Sequence, residues 1–184
     1  YASTLLMALG FTKPEIADEF YGKETYSFDT KTDKWKTKFN PENYKAKNFS
    51  EEVIDSKTGE VVIKLGDKVN YLTAKKLASD GLKDILVSQE SLYGKYLHRD
   101  VKVSDEEEGT FQIGTELNDT IIKQILEANI SSIEISITNT INKGPYLLTT
   151  LLNDKNNNKD EAITEIYKVL RPGEPPTVEI ATQI

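Results

Sequence analysis

The chain contains one histidine and no cysteine, so nucleophilic and metal chemistry have few places to be built. A Ser-His-Asp arrangement would have to use His98. That residue lies in Tyr96-Leu-His-Arg-Asp100, no Gly-x-Ser-x-Gly elbow occurs anywhere in the chain, and a surface or strand-edge position is expected for it. Thiol nucleophiles, disulfides and thiolate zinc sites are excluded. Asp105-Glu-Glu-Glu108 gathers oxygen ligands of the kind a divalent cation takes. Consecutive side chains of an extended segment alternate in direction, however, and Gly109 follows, so the run reads as a solvated hairpin turn. The 30 acidic residues offer many carboxylate pairs for acid and base work, and spacing singles out none. No phosphate-cradling glycine loop is present. We therefore expect no catalytic residue, metal site or cofactor in this chain.

Arg171 is the residue best placed for recognition. It ends the amphipathic stretch Glu165-Ile-Tyr-Lys-Val-Leu170 and precedes an elbow in which Pro172, Pro175 and Pro176 fix φ and Gly173 permits the bend. A guanidinium on such a corner suits phosphates and base edges, and Lys168 stands one turn back. The same guanidinium could instead pair with Glu165 or Glu174 and merely hold the elbow. With a net charge of -7 and a pI near 4.9, any nucleic-acid contact must be local, because affinity for phosphates normally rests on clustered Lys and Arg.

The elements that must carry these residues show in the spacing. Thr12 and Glu15 stand at the capping-box interval with Pro14 in the first turn, predicting a helix from about Lys13 to Phe20. Before it, Leu5, Leu6 and Leu9 have helical periodicity and Gly10 occupies a C-terminal cap position. From Tyr21 the pattern becomes alternating. Thr25–Phe28 and Trp35–Phe39 flank Asp29–Lys34 as a hairpin, and Tyr26, Phe28, Trp35, Phe39, Tyr44 and Phe49 read as its core rather than as a stacking platform for single strands. An internal repeat follows at an offset of 48 residues, which aligns Gly66 with Gly114 and brings apolar residues together at Val53 and Val101, Leu65 and Ile113, Leu77 and Ile125, and Ile85 and Ile133. Each copy, about 53–88 and 101–137, reads as strand, strand, helix, strand, and the two are expected to share one sheet and one core. Gly144-Pro145-Tyr146 reads as a turn that starts a helix. Beyond the polar loop 153–160, the residues Ala162, Ile163, Ile166, Tyr167 and Leu170 line one helical face, and Pro172 ends it. The fold class is α+β: discontinuous helical segments at 1–20 and 140–184, with a β-rich insertion at 21–139 whose ends must lie close together.

Three stretches resemble the bacterial RNA polymerase beta subunit, in the same order: Ala2-Ser-Thr-Leu-Leu-Met-Ala-Leu-Gly-Phe11, Lys143-Gly-Pro-Tyr-Leu-Leu-Thr-Thr-Leu-Leu152, and Glu165 through Thr177 across the elbow. The resemblance implies helical segments of the beta lobe, one jaw of the downstream DNA channel, flanking a lineage-specific inserted domain that matches the family only in outline. It implies that Arg171 lies on the inner, DNA-facing surface with Lys168 nearby. The parent enzyme would perform template-directed nucleotidyl transfer in the cytoplasm. Its partners would be the beta', alpha and omega subunits, a sigma factor, DNA, and possible transcription regulators on the insertion, with no membrane. The aspartate-rich magnesium motif of that enzyme belongs to another subunit and is absent here.

The opening at Tyr1 in mid-helix pattern and the stop at Ile184 read as an excised fragment, which would leave Leu5, Leu9 and Ile166 uncovered. No apolar run of about 18 residues is present. Two alternatives to the polymerase reading stand: an independent acidic module with a ligand groove between the repeats, and a carboxylate hydrolase needing two acids at fixed separation in a pocket.

Overall fold

The capping box at Thr12 forms as its spacing predicts. The Thr12 hydroxyl accepts from the Glu15 N–H and the Glu15 carboxylate accepts from the Thr12 N–H, each at 3.3 Å, opening α2 (Lys13–Phe20). The preceding helix, α1 (Ala2–Ala8), ends as Gly10, at φ +108°, turns its N–H to the Met7 carbonyl while Phe11 reaches back to Leu6. This computed structural model describes residues 2–45, 51–138, 144–156 and 158–170. Phe49 and the elbow from Arg171 onward, with Pro172, Gly173, Pro175 and Pro176, lie outside the described residues.

The chain is α+β. After α2 come β1 (Lys23–Asp29), β2 (Lys34–Lys38), β3 (Val53–Asp55), β4 (Val61–Ile63), α3 (Tyr71–Ser79), β5 (Asp84–Val87), β6 (Val101–Lys102), β7 (Thr110–Phe111), α4 (Asp119–Glu127) and β8 (Ser132–Ser136). Two further helices follow, α5 (Tyr146–Asn153) and α6 (Lys159–Leu170). Six strands form one antiparallel sheet in the order β4-β3-β5-β2-β1-β8, and β6 with β7 makes a separate pair. The expectation that both ββαβ stretches lie wholly in one sheet therefore needs correcting: β6 and β7 stand outside it. Both stretches do contribute to one core.

Register explains that core. Phe28 faces Trp35, Trp35 faces Val87, Thr37 faces Ile85 and Tyr26 faces Ile133, so one face of the sheet gathers the apolar side chains of the central strands. Ala74 of α3 and Ile122 and Ile125 of α4 close over it, in one cluster with Val53, Ile63, Val101 and Ile135. Tyr26, Phe28, Trp35, Phe39 and Tyr44 fall here as the hairpin reading expects. Trp35 is fully buried, with Phe28 edge-on to it at 5.3 Å between centroids. α3 and α4 start alike, since Asn70 and Asn118 each accept the N–H three residues on at 2.9 Å.

A second, smaller cluster joins the helices: Met7, Ile16, Ala17, Tyr21, Leu148, Leu151 and Ala162, together with Ile113 from the turn after β7. α1 presents Ser3, Thr4 and Met7 to it, while Leu5 and Leu9 face outward.

Candidate functional site

His98 is not at the surface. The surface position is overturned, because the ring is completely buried, while the strand-edge alternative fits, since its backbone flanks β8, the outer strand of the sheet. The backbone of residues 96–98 runs beside β8, with the His98 N–H on the Glu134 carbonyl and the Ser136 N–H on the Tyr96 carbonyl. This places Nδ1 at 2.7 Å from Ser136 Oγ and Nε2 at 2.8 Å from Asp18 Oδ1 on α2. An ionised carboxylate only accepts, so Nε2 carries the proton toward Asp18, and in the neutral ring Nδ1 accepts from the Ser136 hydroxyl. The other Asp18 oxygen takes the Arg99 guanidinium at 2.5 Å. Hydrogen bonds from Arg99, then from His98, hold the Asp18 carboxyl below its ordinary range.

Serine, histidine and aspartate are thus joined in one relay, yet the geometry is that of a fastener. Ser136 and His98 are both buried, and neither lines the recess beside the β1–β2 hairpin, whose walls include Tyr26, Phe39, Asn43, Tyr44 and Lys95. A nucleophile must be reachable by substrate; Ser136 and His98 are both buried and tie α2 to the sheet.

A second polar node lies at the turn between α5 and α6. Buried Asp154 accepts from Ser3 Oγ at 2.5 Å and Thr4 Oγ1 at 2.8 Å through one oxygen, and from the Asn156 backbone and side-chain amides at 3.0 and 2.7 Å through the other. Burial pushes its carboxyl up, but the bonds from Ser3, Asn156 and Thr4 together outweigh this, and the net shift is downward. The Lys13 ammonium caps the Asp154 carbonyl at 2.5 Å. These bonds explain why α1 turns Ser3 and Thr4 inward while Leu5 faces out.

Lys168 is exposed on α6. The recess it borders is lined also by Lys155, Asn156, Asp160, Glu161, Thr164 and Glu165, so within that recess acids outnumber lysines. Glu165, one suggested partner for Arg171, accepts from the Asn156 side-chain amide. Asp105–Glu108 form the exposed turn between β6 and β7, with Lys102 on Asp105 at 3.0 Å. Among the described residues no three His, Asp or Glu side chains converge as metal ligands, and no helix is long and apolar enough to cross a membrane.

Sequence reasoning singled out His98 and missed Asp18, Ser136 and Asp154. Only Asp154 left a local trace, as an Asp-x-Asn turn following an apolar helix.

No family model matches the chain. Curated relatives do. The chain is 35% identical over all 184 residues to the DNA-directed RNA polymerase subunit beta of Rickettsia felis, and 35% identical over the same span to those of Rickettsia rickettsii and Rickettsia prowazekii. It spans 13% of the length of these relatives. Matched from end to end at this identity, the chain belongs to the bacterial DNA-directed RNA polymerase beta-subunit family, as the counterpart of one segment of that subunit.

Proposed function

We propose that the chain serves transcription as a non-catalytic part of a beta subunit. The helical segments 1–20 and 140–184 contribute to the lobe of the DNA channel, and the insertion 21–139 forms a peripheral surface that faces solvent or docks regulators. Nucleotidyl transfer belongs to the parent enzyme, a cytoplasmic complex with beta', alpha and omega subunits and a sigma factor. Arg171, with Lys168 one turn before it on α6, is the DNA-facing contact, and Pro172, Gly173, Pro175 and Pro176 hold its corner. The stretches 53–88 and 101–137 are two copies of one unit, a reading supported by their common order of elements and by the matching asparagine caps.

The observation that carries the functional reading is the match along the whole chain to subunits bearing that name. The burial of Ser136 and His98 argues against a serine hydrolase built on the Ser136–His98–Asp18 relay. Polymerase reconstituted with Arg171→Ala or Lys168→Ala in this segment tests the DNA contact. A lost phosphate contact is expected to shorten promoter-complex lifetime as salt rises, and to lower the salt slope of binding by about one. Lifetimes and slopes equal to wild type in both variants would remove DNA contact from the reading.

A further inference from the structure

Two turns stand 48 residues apart and have the same backbone. In one the Asp67 N–H closes on the Lys64 carbonyl at 3.0 Å, with Gly66 at φ +88°; in the other the Thr115 N–H closes on the Gln112 carbonyl at 3.0 Å, with Gly114 at φ +92°. Their surroundings are opposite. Leu65 in the first is 78% exposed, and a methyl group added at Gly66 would meet nothing within 4 Å. Ile113 in the second is 3% exposed, inside the helical cluster with Leu148, Leu151 and Met7. A Cβ added at Gly114 would stand 2.2 Å from the Leu148 carbonyl oxygen and 3.1 Å from Leu152 Cβ. The second turn is braced from below, since Gly114 donates to the Leu97 carbonyl at 2.9 Å and Ile113 to Asp100 Oδ1 at 2.9 Å.

We propose that the Ile113–Gly114 turn is a key that positions α5, and through Asp154 the α6 arm that leads to Arg171. Gly114 lets the turn reach the helix backbone with no side chain between them, and Ile113 locks the approach by filling the helical core. The inserted sheet and the helical arm thereby move as one body, so α6 takes its orientation from the sheet. The consequence for DNA rests on the reading of Arg171 given above; the key itself does not.

The test pairs Gly114→Asn with Gly66→Asn in the full-length beta subunit that carries this segment. Asparagine tolerates positive φ, as Asn129 does here at +60°, so backbone strain is matched and only the collision with α5 differs. Hydrogen exchange of Tyr146–Asn153 is expected to quicken by about tenfold or more in Gly114→Asn, with α3 and α4 unchanged, and to stay at wild type in Gly66→Asn. If Gly114→Asn yields no soluble subunit, Ile113→Ala against Leu65→Ala gives the same comparison. Equal effects of the paired substitutions, or unaltered protection of α5, would overturn the key. Promoter-complex lifetime in the assembled enzyme is read alongside and is expected to shorten with Gly114→Asn as with Arg171→Ala. Loosened α5 with unchanged lifetime would keep the key and remove the DNA-facing role of the arm.

Discussion

His98 has both ring nitrogens engaged and no access to water, so the fate of each depends on a single partner. Ser136→Ala removes the hydroxyl from Nδ1 and leaves a buried ring nitrogen unpaired, a loss of about 1–3 kcal/mol. Denaturant unfolding of the chain should show that decrease in midpoint at constant slope. Asp18→Asn is expected to shift the midpoint less, because the amide oxygen still accepts from Nε2 and the position is half in solvent, where ion pairs contribute little. A larger effect for Asp18→Asn than for Ser136→Ala would mean that the ion pair with Arg99, rather than the imidazole bonds, fastens α2.

At the scale of elements, Asp154 decides how three helices meet. It takes hydroxyls from α1, sits at the C-terminus of α5 and, through Asn156, which donates to Glu165, reaches the middle of α6. Its folded carboxyl lies below the ordinary value of 3.8, so the charged form is favoured in the folded chain. The stability this provides is complete above the unfolded value and drains away as pH falls through the lowered folded value. Melting temperature should therefore decline on acidification below about pH 4, and Asp154→Ala should flatten that part of the decline while lowering stability at neutral pH. An unchanged acid limb in Asp154→Ala would assign the loss to other carboxylates. The elements legible in sequence were those decided within a few residues. The Thr12–Glu15 box and the hairpin around Asp29–Lys34 stand near their expected bounds, and the stretches 53–88 and 101–137 each hold one helix between strands as expected. What stayed hidden depends on contacts distant in sequence. Asp18 meets His98 across 80 residues and Ser3 meets Asp154 across 151, so nothing local marks either. The inward face of α1 is obscured for the same reason, since apolar periodicity favours Leu5 and Leu9, which face out, while a buried carboxylate elsewhere demands the hydroxyls of Ser3 and Thr4.

For the molecule as a whole, the decisive question is whether the sheet can be removed from between the helices. The entry and exit are adjacent. Lys23 pairs with Ser136 across β1 and β8, and the Ile137 N–H donates to the Gly22 carbonyl at 2.8 Å, so a short linker replacing about residues 22–142 can close the helical part without stretching it. Yet the sheet side supplies Ile113 and part of Tyr96 to the helical cluster and holds Asp18 through His98 and Arg99. Excision leaves a hole where Ile113 was, and emptying a buried isoleucine site costs about 2–5 kcal/mol, a large share of the stability of an ordinary domain. Polymerase assembled with the excised beta subunit is therefore expected to transcribe from promoters at low temperature and to lose activity earlier than wild type on warming. Filling the hole with a larger side chain at Ala17 or Ala162 should recover part of the lost range. Loss of synthesis at every temperature, with assembly intact, would mean that the sheet takes part in synthesis directly rather than by steadying the helices.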